Sequence, residues 1–267
     1  MHLSHGQRRR YLEDGFVVLH ALFAADEIER VCHALDSDAN NDGPYRVHAD
    51  DNGSVDTVYA PHHRESEFKA ILSSPKILEP VREILASEVY PYQVKVNIKT
   101  PFGDNKVEWH QDFAAWHIVD KLPEPELVNA AIFLDESTEF NGPLTFIPGT
   151  HNQGLISKQK ENASGNGHFD PKDIALTPDD LADFVASRGM VSVHGPVGTL
   201  VLFHPLVAHG SPPNMAPIAR RLFLATYNSV SNEPRTESPR AEYLVGRAEA
   251  TTETGPAPSP SATRVVR

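Results

Sequence analysis

The chain has 267 residues, 40% of them hydrophobic, with a single cysteine and a formal net charge of −12 when the histidines are neutral. This length allows one large domain or two small ones, and the acidic balance argues against nucleic acid, which binds basic surfaces. One cysteine excludes a disulfide within the chain. The sequence has neither a membrane-spanning apolar run nor an apolar signal segment, so we expect a cytoplasmic protein.

Helices and one strand are predicted for the N-terminal third. "SHGQRRRYLEDG" predicts a short helix that Ser4 caps and Gly15 ends, and "FVVLHAL" predicts a strand. "AADEIERVCHALDSDA" has apolar residues at helical spacing and acidic residues in its first turn. After a polar loop or hairpin at residues 40–55, "ILSSPKILEPVREILAS" predicts one further amphipathic helix.

The pattern changes to a period of two from residue 89 onward. Further short strands are predicted in "LVNAAIFLDES", "GPLTFIPGTH", "GMVSVHGPVGTLVLFHP" and "ARRLFLATYNSV", between glycine and proline turns. Many short strands with few helices among them predict a mainly β fold with flanking helices, an antiparallel sandwich or barrel. The alternation is clearest in "VYPYQVKVNIKT", where Val94, Val96 and Ile98 alternate with Gln93, Lys95, Asn97 and Lys99.

A polar insert interrupts the strands between residues 156 and 185. Inserts of this length are usually lids or disordered loops, and this one ends in a short helix that Thr177 caps. The tail, residues 248–267, is rich in proline, serine and threonine, and we expect it to be disordered. The sequence therefore predicts a single domain over residues 1–247, with N-terminal helices and a lid.

The segment "KVEWHQDFAAWH" contains a His-x-Asp pair, His110 and Asp112. In an extended strand, residues i and i+2 point to the same face, so an imidazole nitrogen and a carboxylate oxygen would face one point. That arrangement suits a divalent metal. Taken alone, such a pair is more often structural, and a third ligand is needed to decide.

The segment "GTLVLFHPLVAHGSPPNMAPIARRLFLATYN" predicts a strand, a proline-rich loop and a returning strand. Returning antiparallel strands place residues near the turn side by side, so a residue near His209 should approach one near Arg220. One would hold a metal and the other an anion that reaches it. Periodicity alone does not choose between His204 and His209, or between Arg220 and Arg221.

"WHQD", followed by His209, Ser211 and Arg220, resembles the iron(II)/2-oxoglutarate dioxygenases of the phytanoyl-CoA dioxygenase superfamily. The resemblance implies a double-stranded β-helix, the jelly-roll or cupin-like core. It implies that His110, Asp112 and His209 bind the metal and that Arg220 pairs with the distal carboxylate of 2-oxoglutarate. The cofactor-side residues implied beside Arg220 are Ser211 and Asn97. His117, His151 and His204 are expected not to be ligands.

The resemblance extends over most of residues 5–247. "VNIKTPFG", "WHQDFAAWH" and "FNGPLTFIPGTHNQG" are similar to ectoine hydroxylase and to free-leucine hydroxylases of natural-product pathways. The latter are also similar in "DGPYRV", "VYAPHHRESEF", "LVNAAIFLDESTEFNGPL", "HGSPPNMAPIARRLFLATYN" and "PRAEYLVGR". The substrate-side residues implied are Gln93, Trp116, Tyr59 and Arg64. For each, a structural role is the alternative: core packing for Trp116, a solvated strand position for Gln93 and a surface salt bridge for Arg64.

The resemblance implies hydroxylation of an unactivated C–H bond in a small free aliphatic L-amino acid, leucine-like first. Iron(II), 2-oxoglutarate and O2 take part, ascorbate serves as reductant in vitro, and succinate and CO2 are co-products. The alternative is a cyclic amino acid, proline- or ectoine-like, or a larger natural-product or carrier-bound intermediate. Asp112 argues against halogenation, because related halogenases lack this carboxylate. Arg220 argues against a cupin-like binding protein or hydrolase. We expect no nucleic-acid or membrane partner, and a monomer or homodimer.

Overall fold

Two antiparallel sheets form the centre of the computed structural model, which describes residues 1–48, 53–156 and 171–248. The larger sheet has the order β1-β9-β6-β11-β4-β3-β2 and the smaller one the order β5-β10-β7-β8. This arrangement confirms the predicted mainly β class and its double-stranded β-helix core. The strands are β1 (Phe16–Leu19), β2 (Arg46–His48), β3 (Val55–Tyr59), β4 (Val89–Lys99), β5 (Val107–His110), β6 (Leu127–Phe133), β7 (Leu144–Phe146), β8 (Val191–Val193), β9 (Leu200–Phe203), β10 (His209–Ser211) and β11 (Arg220–Ser229).

Helices cover the outer face of the larger sheet. Ser4 caps the first of them, and Gly15 ends it with a left-handed φ of 85°, both as predicted. Three-residue and four-residue 3-10 helices lie at Pro61–His63, Thr150–Gln153 and Pro171–Ile174, and a π-helix lies at Trp116–Asp120. The α-helices are α1 (His5–Asp14), α2 (Ala25–Asp38), α3 (Ser66–Leu72), α4 (Pro75–Leu85), α5 (Asp112–Ala115) and α6 (Pro178–Arg188).

The single helix predicted over "ILSSPKILEPVREILAS" is wrong, because the segment forms α3 and α4 with a break between them. Proline disfavours the helical conformation in the residue before it. Ser74 is accordingly extended, with ψ 131°, and its hydroxyl caps α4 by accepting from the Lys76 amide. Pro75 then occupies the first position of α4, where a missing N–H costs nothing.

The alternation in β4 separates a core face from a cavity face. Val94, Val96 and Ile98 pack in the main apolar cluster with side chains of α2, α3 and α4. The polar row of the same strand turns inward and lines the cavity between the two sheets. β11, which pairs with β4 along its whole length, repeats the division: Phe223 packs toward the helices and Arg220 lines the cavity.

The loop between His209 and Arg220 carries the chain from one sheet to the other. The predicted side-by-side pairing of these two strands is wrong: β10 pairs with β5 and β7, whereas β11 pairs with β4 and β6. The Asn214 amide fixes the crossing by donating to the carbonyl oxygens of Thr100, at 2.9 Å, and Ile218, at 2.7 Å. His209 and Arg220 therefore line one cavity from opposite sheets.

The insert predicted at residues 156–185 is described only at its ends, since residues 157–170 lie outside the described ranges. Its returning limb contains the 3-10 helix Pro171–Ile174 and then α6, which Thr177 caps as predicted and which extends to Arg188. The predicted disordered tail lies outside the described residues from position 249 onward. Within the described ranges, no helix combines the length and apolar character needed to span a bilayer.

Candidate active site

The His-x-Asp pair lies at the junction of a strand and a helix. β5 ends at His110, Gln111 keeps an extended backbone, and Asp112 is the first residue of α5, so the assumption of one continuous strand is wrong. The extended Gln111 still directs both side chains to one side. The Asp112 carboxylate lies 3.3 Å from Nε2 of His110 and 3.6 Å from Nε2 of His209, which comes from the neighbouring β10.

Hydrogen bonds to backbone carbonyls orient the two imidazoles. Nδ1 of His110 lies 2.7 Å from the Glu108 oxygen, and Nδ1 of His209 lies 3.1 Å from the Val207 oxygen. A carbonyl oxygen only accepts, so each Nδ1 carries the proton and each Nε2 presents a lone pair to the gap. Burial lowers the pKa of His209 to about 4, which keeps this imidazole neutral at neutral pH.

The donor set fits iron(II). The three ligand atoms of His110, Asp112 and His209 lie within 4.8 Å of one another. Burial would raise the pKa of the Asp112 carboxyl, but His209, His110 and Lys95 outweigh it and hold that pKa well below its usual range. Two neutral imidazoles and one carboxylate on one side of a metal, with open positions opposite, are the ligand set of non-haem iron(II) oxygenases.

Arg220 lines the cavity, and three of its five N–H donors have no partner among the described residues. It is 3% exposed, and its Nε and one terminal nitrogen donate to the Gly142 oxygen at 3.1 and 2.8 Å. In the described part of the chain it forms no ion pair. Ser211 of β10 and Asn97 of β4 line the same cavity. A buried guanidinium without a carboxylate partner suits bidentate binding of a ligand carboxylate.

A second cation, Lys99, lies beside Arg220 and was not among the predicted site residues. Its side chain is 2% exposed and donates to the Asn105 carbonyl oxygen. Burial, together with the charge of Arg220, lowers the Lys99 pKa to about 7. The sequence signal was its place in the polar row of β4, two residues after Asn97.

The structure also decides between His204 and His209, and between Arg220 and Arg221, which periodicity left open. Arg221 points to the other face of β11, where it binds the Asp135 carboxylate at 2.8 and 2.9 Å. His204 does not line the cavity, and its ring lies against that of His151 with centroids 5.3 Å apart. His209 and Arg220 are thus the members of each pair that reach the cavity.

The cavity has a volume of about 450 Å³ and includes three of the four predicted substrate-side residues. Gln93 lies on β4, and its amide nitrogen donates to the Leu244 oxygen at 3.3 Å. Trp116 is 3% exposed and packs edge-on against Tyr92, with ring centroids 5.7 Å apart. Tyr59 lies on the same side of the cavity as Gln93 and Trp116, beside His110 and Asp112.

Lys95 projects into the cavity between Gln93 and Asn97 on the same face of β4. Among the described residues it forms no hydrogen bond and no ion pair, and its ammonium lies 6.0 Å from the centre of the Tyr59 ring. Burial lowers its pKa, and the nearby charge of Asp112 partly opposes that effect. Sequence reasoning missed this residue, although the alternation already placed it in the polar row.

The structure places Arg64 outside the cavity. Its guanidinium binds the fully buried Asp38 carboxylate through two hydrogen bonds of 2.6 and 2.9 Å and lies 3.6 Å above the Tyr45 ring. A guanidinium committed in this way is not available to a substrate. The salt-bridge alternative for Arg64 therefore describes it better, with the difference that the bridge is buried.

Both ends of the insert are tied to the strand that carries His110. The Ile156 amide donates to Oε1 of Gln111 at 2.7 Å, and the Leu176 amide donates to the Trp109 oxygen at 2.7 Å. The Gln111 side-chain nitrogen also donates to the oxygens of Gly154 and Leu206, at 2.9 and 2.7 Å. Gln111 is fully buried, and these bonds connect its own segment to the segments around Ile156 and Leu206.

Comparison with known proteins agrees with this geometry. The family model described as Phytanoyl-CoA dioxygenase (PhyH) matches residues 11–222. L-proline trans-4-hydroxylase from Streptomyces griseoviridis is 31% identical over 244 residues, covering 89% of this chain and 91% of the relative. Ectoine dioxygenase from Sphingopyxis alaskensis is 29% identical over 257 residues, covering 92% and 84%.

Solved structures show the same similarity. The crystal structure of EctD from S. alaskensis with 2-oxoglutarate and 5-hydroxyectoine superposes with a TM-score of 0.79 at 26% identity, covering 92% of this chain and 84% of that one. The structure of EctD with bound Fe gives a TM-score of 0.78 at 27% identity, covering 99% and 88%. The resemblance to the phytanoyl-CoA dioxygenase superfamily and to ectoine hydroxylase is confirmed.

Proposed function

This chain belongs to the phytanoyl-CoA dioxygenase family, and from that premise we propose that it hydroxylates a small free amino acid, cyclic substrates coming before leucine-like ones. The protein is an iron(II)- and 2-oxoglutarate-dependent dioxygenase. When bound, iron(II) and 2-oxoglutarate would react with O2, one oxygen atom going to succinate as CO2 is released and the other into a C–H bond of the substrate. The chain itself must hold both groups, position the C–H bond and exclude water.

We assign the iron to His110, Asp112 and His209, and the distal carboxylate of 2-oxoglutarate to Arg220. The support is the convergence of three ligand atoms from β5, α5 and β10, and the buried guanidinium that faces them from the opposite sheet. Ser211 can donate its hydroxyl to the same carboxylate. Lys99 adds a second positive charge beside it, in a chain whose overall charge is strongly negative.

The observation that carries the substrate proposal is the pairing of Lys95 with Gln93 beside Asp112. Lys95 offers an ammonium for a carboxylate, and the side-chain oxygen of Gln93 accepts from an amino or imino group. The two residues lie two positions apart on one face of β4, about 7 Å along the strand, and their long side chains can converge on the two charged groups of one amino acid. Trp116 and Tyr59 provide the apolar surface against which the remaining part of the substrate packs.

Two observations rank the substrates. The relatives named above act on proline and ectoine, both of which contain a ring, so they favour the cyclic alternative over the leucine-like substrate expected first. The leucine-like substrate stays second because of the motifs shared with free-leucine hydroxylases. A cavity of about 450 Å³ must also hold 2-oxoglutarate, and it is small among ligand pockets, which disfavours a large carrier-bound group.

The test is a substrate screen with the iron-loaded enzyme. Proline, pipecolate, ectoine, leucine and the other proteinogenic amino acids are incubated separately with 2-oxoglutarate, ascorbate and O2. Products that have gained one oxygen atom are detected by mass spectrometry, and succinate is measured in parallel. We expect the fastest turnover with a cyclic free amino acid.

Matched substrates sharpen this screen. The amide and the N-acetyl form of the best substrate each remove one charge, and both should react far more slowly, because a buried polar partner would be left unpaired. Faster turnover of an N-acyl or carrier-bound form than of any free amino acid would contradict the proposal. Absence of succinate with every substrate would contradict the reaction class as well.

A further inference from the structure

We propose that Asn129 is a positioning residue for the iron ligand Asp112, and that Thr226 fixes the orientation of the Asn129 side chain. The inference goes beyond the ligand set and rests on the proposed role of Asp112 as an iron ligand. It concerns how the Asp112 carboxylate is held in place, since Asp112 does not lie on a strand as the two histidines do.

The contacts form a short chain across two paired strands. Asn129 of β6 lies directly opposite Thr226 of β11 in the sheet register. The Thr226 hydroxyl donates to Oδ1 of Asn129 at 2.7 Å, and Nδ2 of Asn129 donates to Oδ2 of Asp112 at 2.9 Å. Asn129 is 2% exposed and Thr226 is 4% exposed, so water competes little for these bonds.

The chemistry allows one orientation of the Asn129 amide. Its oxygen and nitrogen are similar in shape, but the ionised Asp112 carboxylate accepts hydrogen bonds and does not donate them. The amide nitrogen must therefore face Asp112, which leaves Oδ1 toward Thr226. The Thr226 hydroxyl then donates its proton to Oδ1 and completes the chain.

Each of the three ligands has one anchor in this structure. His110 and His209 are held by the carbonyl oxygens of Glu108 and Val207. Asp112 begins a four-residue helix, and in the described part of the chain Asn129 is the side chain outside the triad that hydrogen-bonds to it. The bond restricts rotation of the carboxylate about its Cβ–Cγ bond. Such outer partners typically contribute about 10-fold to 100-fold to metal affinity.

Both Asn129 and Thr226 also line the cavity, so direct contact with the amino acid is the competing role. The two roles predict different measurements. A positioning role changes the affinity for iron(II), whereas a substrate contact changes the KM for the amino acid at saturating iron.

The experiment measures iron(II) dissociation constants by anaerobic calorimetric titration of the metal-free protein, without turnover. Asn129→Ala should raise the iron(II) dissociation constant by about 10-fold to 100-fold. Thr226→Val, which keeps the side-chain shape, should raise it less, and Thr226→Ser should restore the wild-type value. The amino-acid KM at saturating iron should stay unchanged in Thr226→Val.

Two controls separate this role from general loss of structure and from failure of the ligand assignment. Asn228→Ala removes a buried asparagine from the neighbouring strand β11, bonded to Tyr90 and Asn232 away from the cavity, and should leave iron affinity unchanged. His209→Ala should abolish binding. If it does not, the ligand assignment fails, whatever Asn129 does.

Wild-type iron affinity in both Asn129→Ala and Thr226→Val, with binding lost in His209→Ala, would overturn the proposal alone. So would a raised amino-acid KM with unchanged iron affinity. If Asn129→Ala does not fold, the comparison of Thr226→Val with Thr226→Ser decides, because equal iron affinities in those two variants would exclude a role for the hydroxyl.

Discussion

His209 and His204 lie five residues apart, yet only His209 faces the Asp112 carboxylate. His209→Ala should abolish succinate formation and iron binding, whereas His204→Ala should stay active. The fold should survive in His209→Ala, because a neutral side chain beside a cavity is removed. Iron titration and succinate assays on both variants check this, and turnover in His209→Ala near the wild-type rate would reject the assignment.

Arg220 and Arg221 give a second matched pair on opposite faces of β11. Arg220→Ala removes charge-assisted hydrogen bonds worth about 1.5–3 kcal/mol each, so the KM for 2-oxoglutarate should rise by roughly tenfold to over a hundredfold. Arg221→Ala instead breaks the ion pair with Asp135 and should lower thermal stability. Equal effects of the two substitutions on the 2-oxoglutarate KM would show that the face assignment fails.

We expect Lys99 to make 2-oxoglutarate binding dependent on pH. Its pKa is lowered to about 7 in the unliganded protein, so the ammonium is charged below that pH and becomes neutral above it. The charged form attracts the cosubstrate, and 2-oxoglutarate affinity should therefore fall as pH rises through this value. Calorimetric titrations across that range should show the slope in the wild type and a flatter profile in Lys99→Met. An equally steep profile in the variant would exclude Lys99 as its origin.

At the scale of single residues, the family motifs could predict a ligand set but not the residues that support it. The sequence placed His110, Asp112 and His209 together only through the family resemblance, since period two left His204 open. Asn129 and Lys95 went unnoticed because their roles depend on which strands pair and which face turns inward. Arg64 was misplaced because its partner, Asp38, lies 26 residues earlier in the chain.

The elements themselves followed local rules wherever a local signal existed. Ser4, Thr177 and Gly15 mark helix ends in the sequence and in the structure alike. Pro75 is a local signal for the break between α3 and α4, but the apolar periodicity on both sides of it favours one continuous helix. The insert differs, because its position is set by contacts with β5 that no local pattern reveals.

The hairpin of β2 and β3 is joined to the end of α2 by a buried ion cluster. Asp38 is fully buried and forms salt bridges with both Arg64 and Arg46. Arg64→Ala leaves this carboxylate with one cation fewer, and the free energy of unfolding should fall by about 1.5–3 kcal/mol. The amino-acid KM should change little, since Arg64 lies outside the cavity. Denaturant unfolding and steady-state kinetics measure the two effects.

The exposed pair of Arg30 and Asp26 is the control for that substitution. Exposed ion pairs contribute little to stability because water and salt screen them, so Arg30→Ala should hardly change stability. A large rise of the amino-acid KM in Arg64→Ala, without a loss of stability, would restore Arg64 to the substrate site.

At the scale of the whole molecule, binding of the cosubstrate should raise the thermal stability of the protein. A ligand that binds the folded state alone, at 100 times its dissociation constant, stabilises by about 2.7 kcal/mol. Anaerobic 2-oxoglutarate with iron(II) should therefore raise the melting temperature by several degrees, and Arg220→Ala should lose most of that shift at the same concentration. Calorimetric melting without turnover provides the measurement. An undiminished shift in Arg220→Ala would place the cosubstrate elsewhere.

The fold class was predictable from the sequence, but the pairing of the strands was not. Period two from residue 89 indicated sheets, because alternating faces are a local property of the chain. The pairing of β10 with β5, and of β11 with β4, joins residues about 100 or more positions apart. Nothing local distinguishes this from a hairpin across the proline-rich loop, and only the family resemblance implied the double-stranded β-helix.

The two hydrogen bonds that tie Ile156 and Leu176 to Gln111 and Trp109 give the insert two anchor points on the segment that carries His110 and Asp112. Its ends are set by the strand of His110, and loop-closure entropy changes by only about 0.6 kcal/mol when a flexible loop doubles in length. We therefore expect grafted segments of different length to be accepted between Ile156 and Pro171, with the ligands keeping their positions, provided that Ile174, which packs in the cluster around Trp116, is kept. Such chimaeras offer a route to new substrate preferences on an unaltered metal centre.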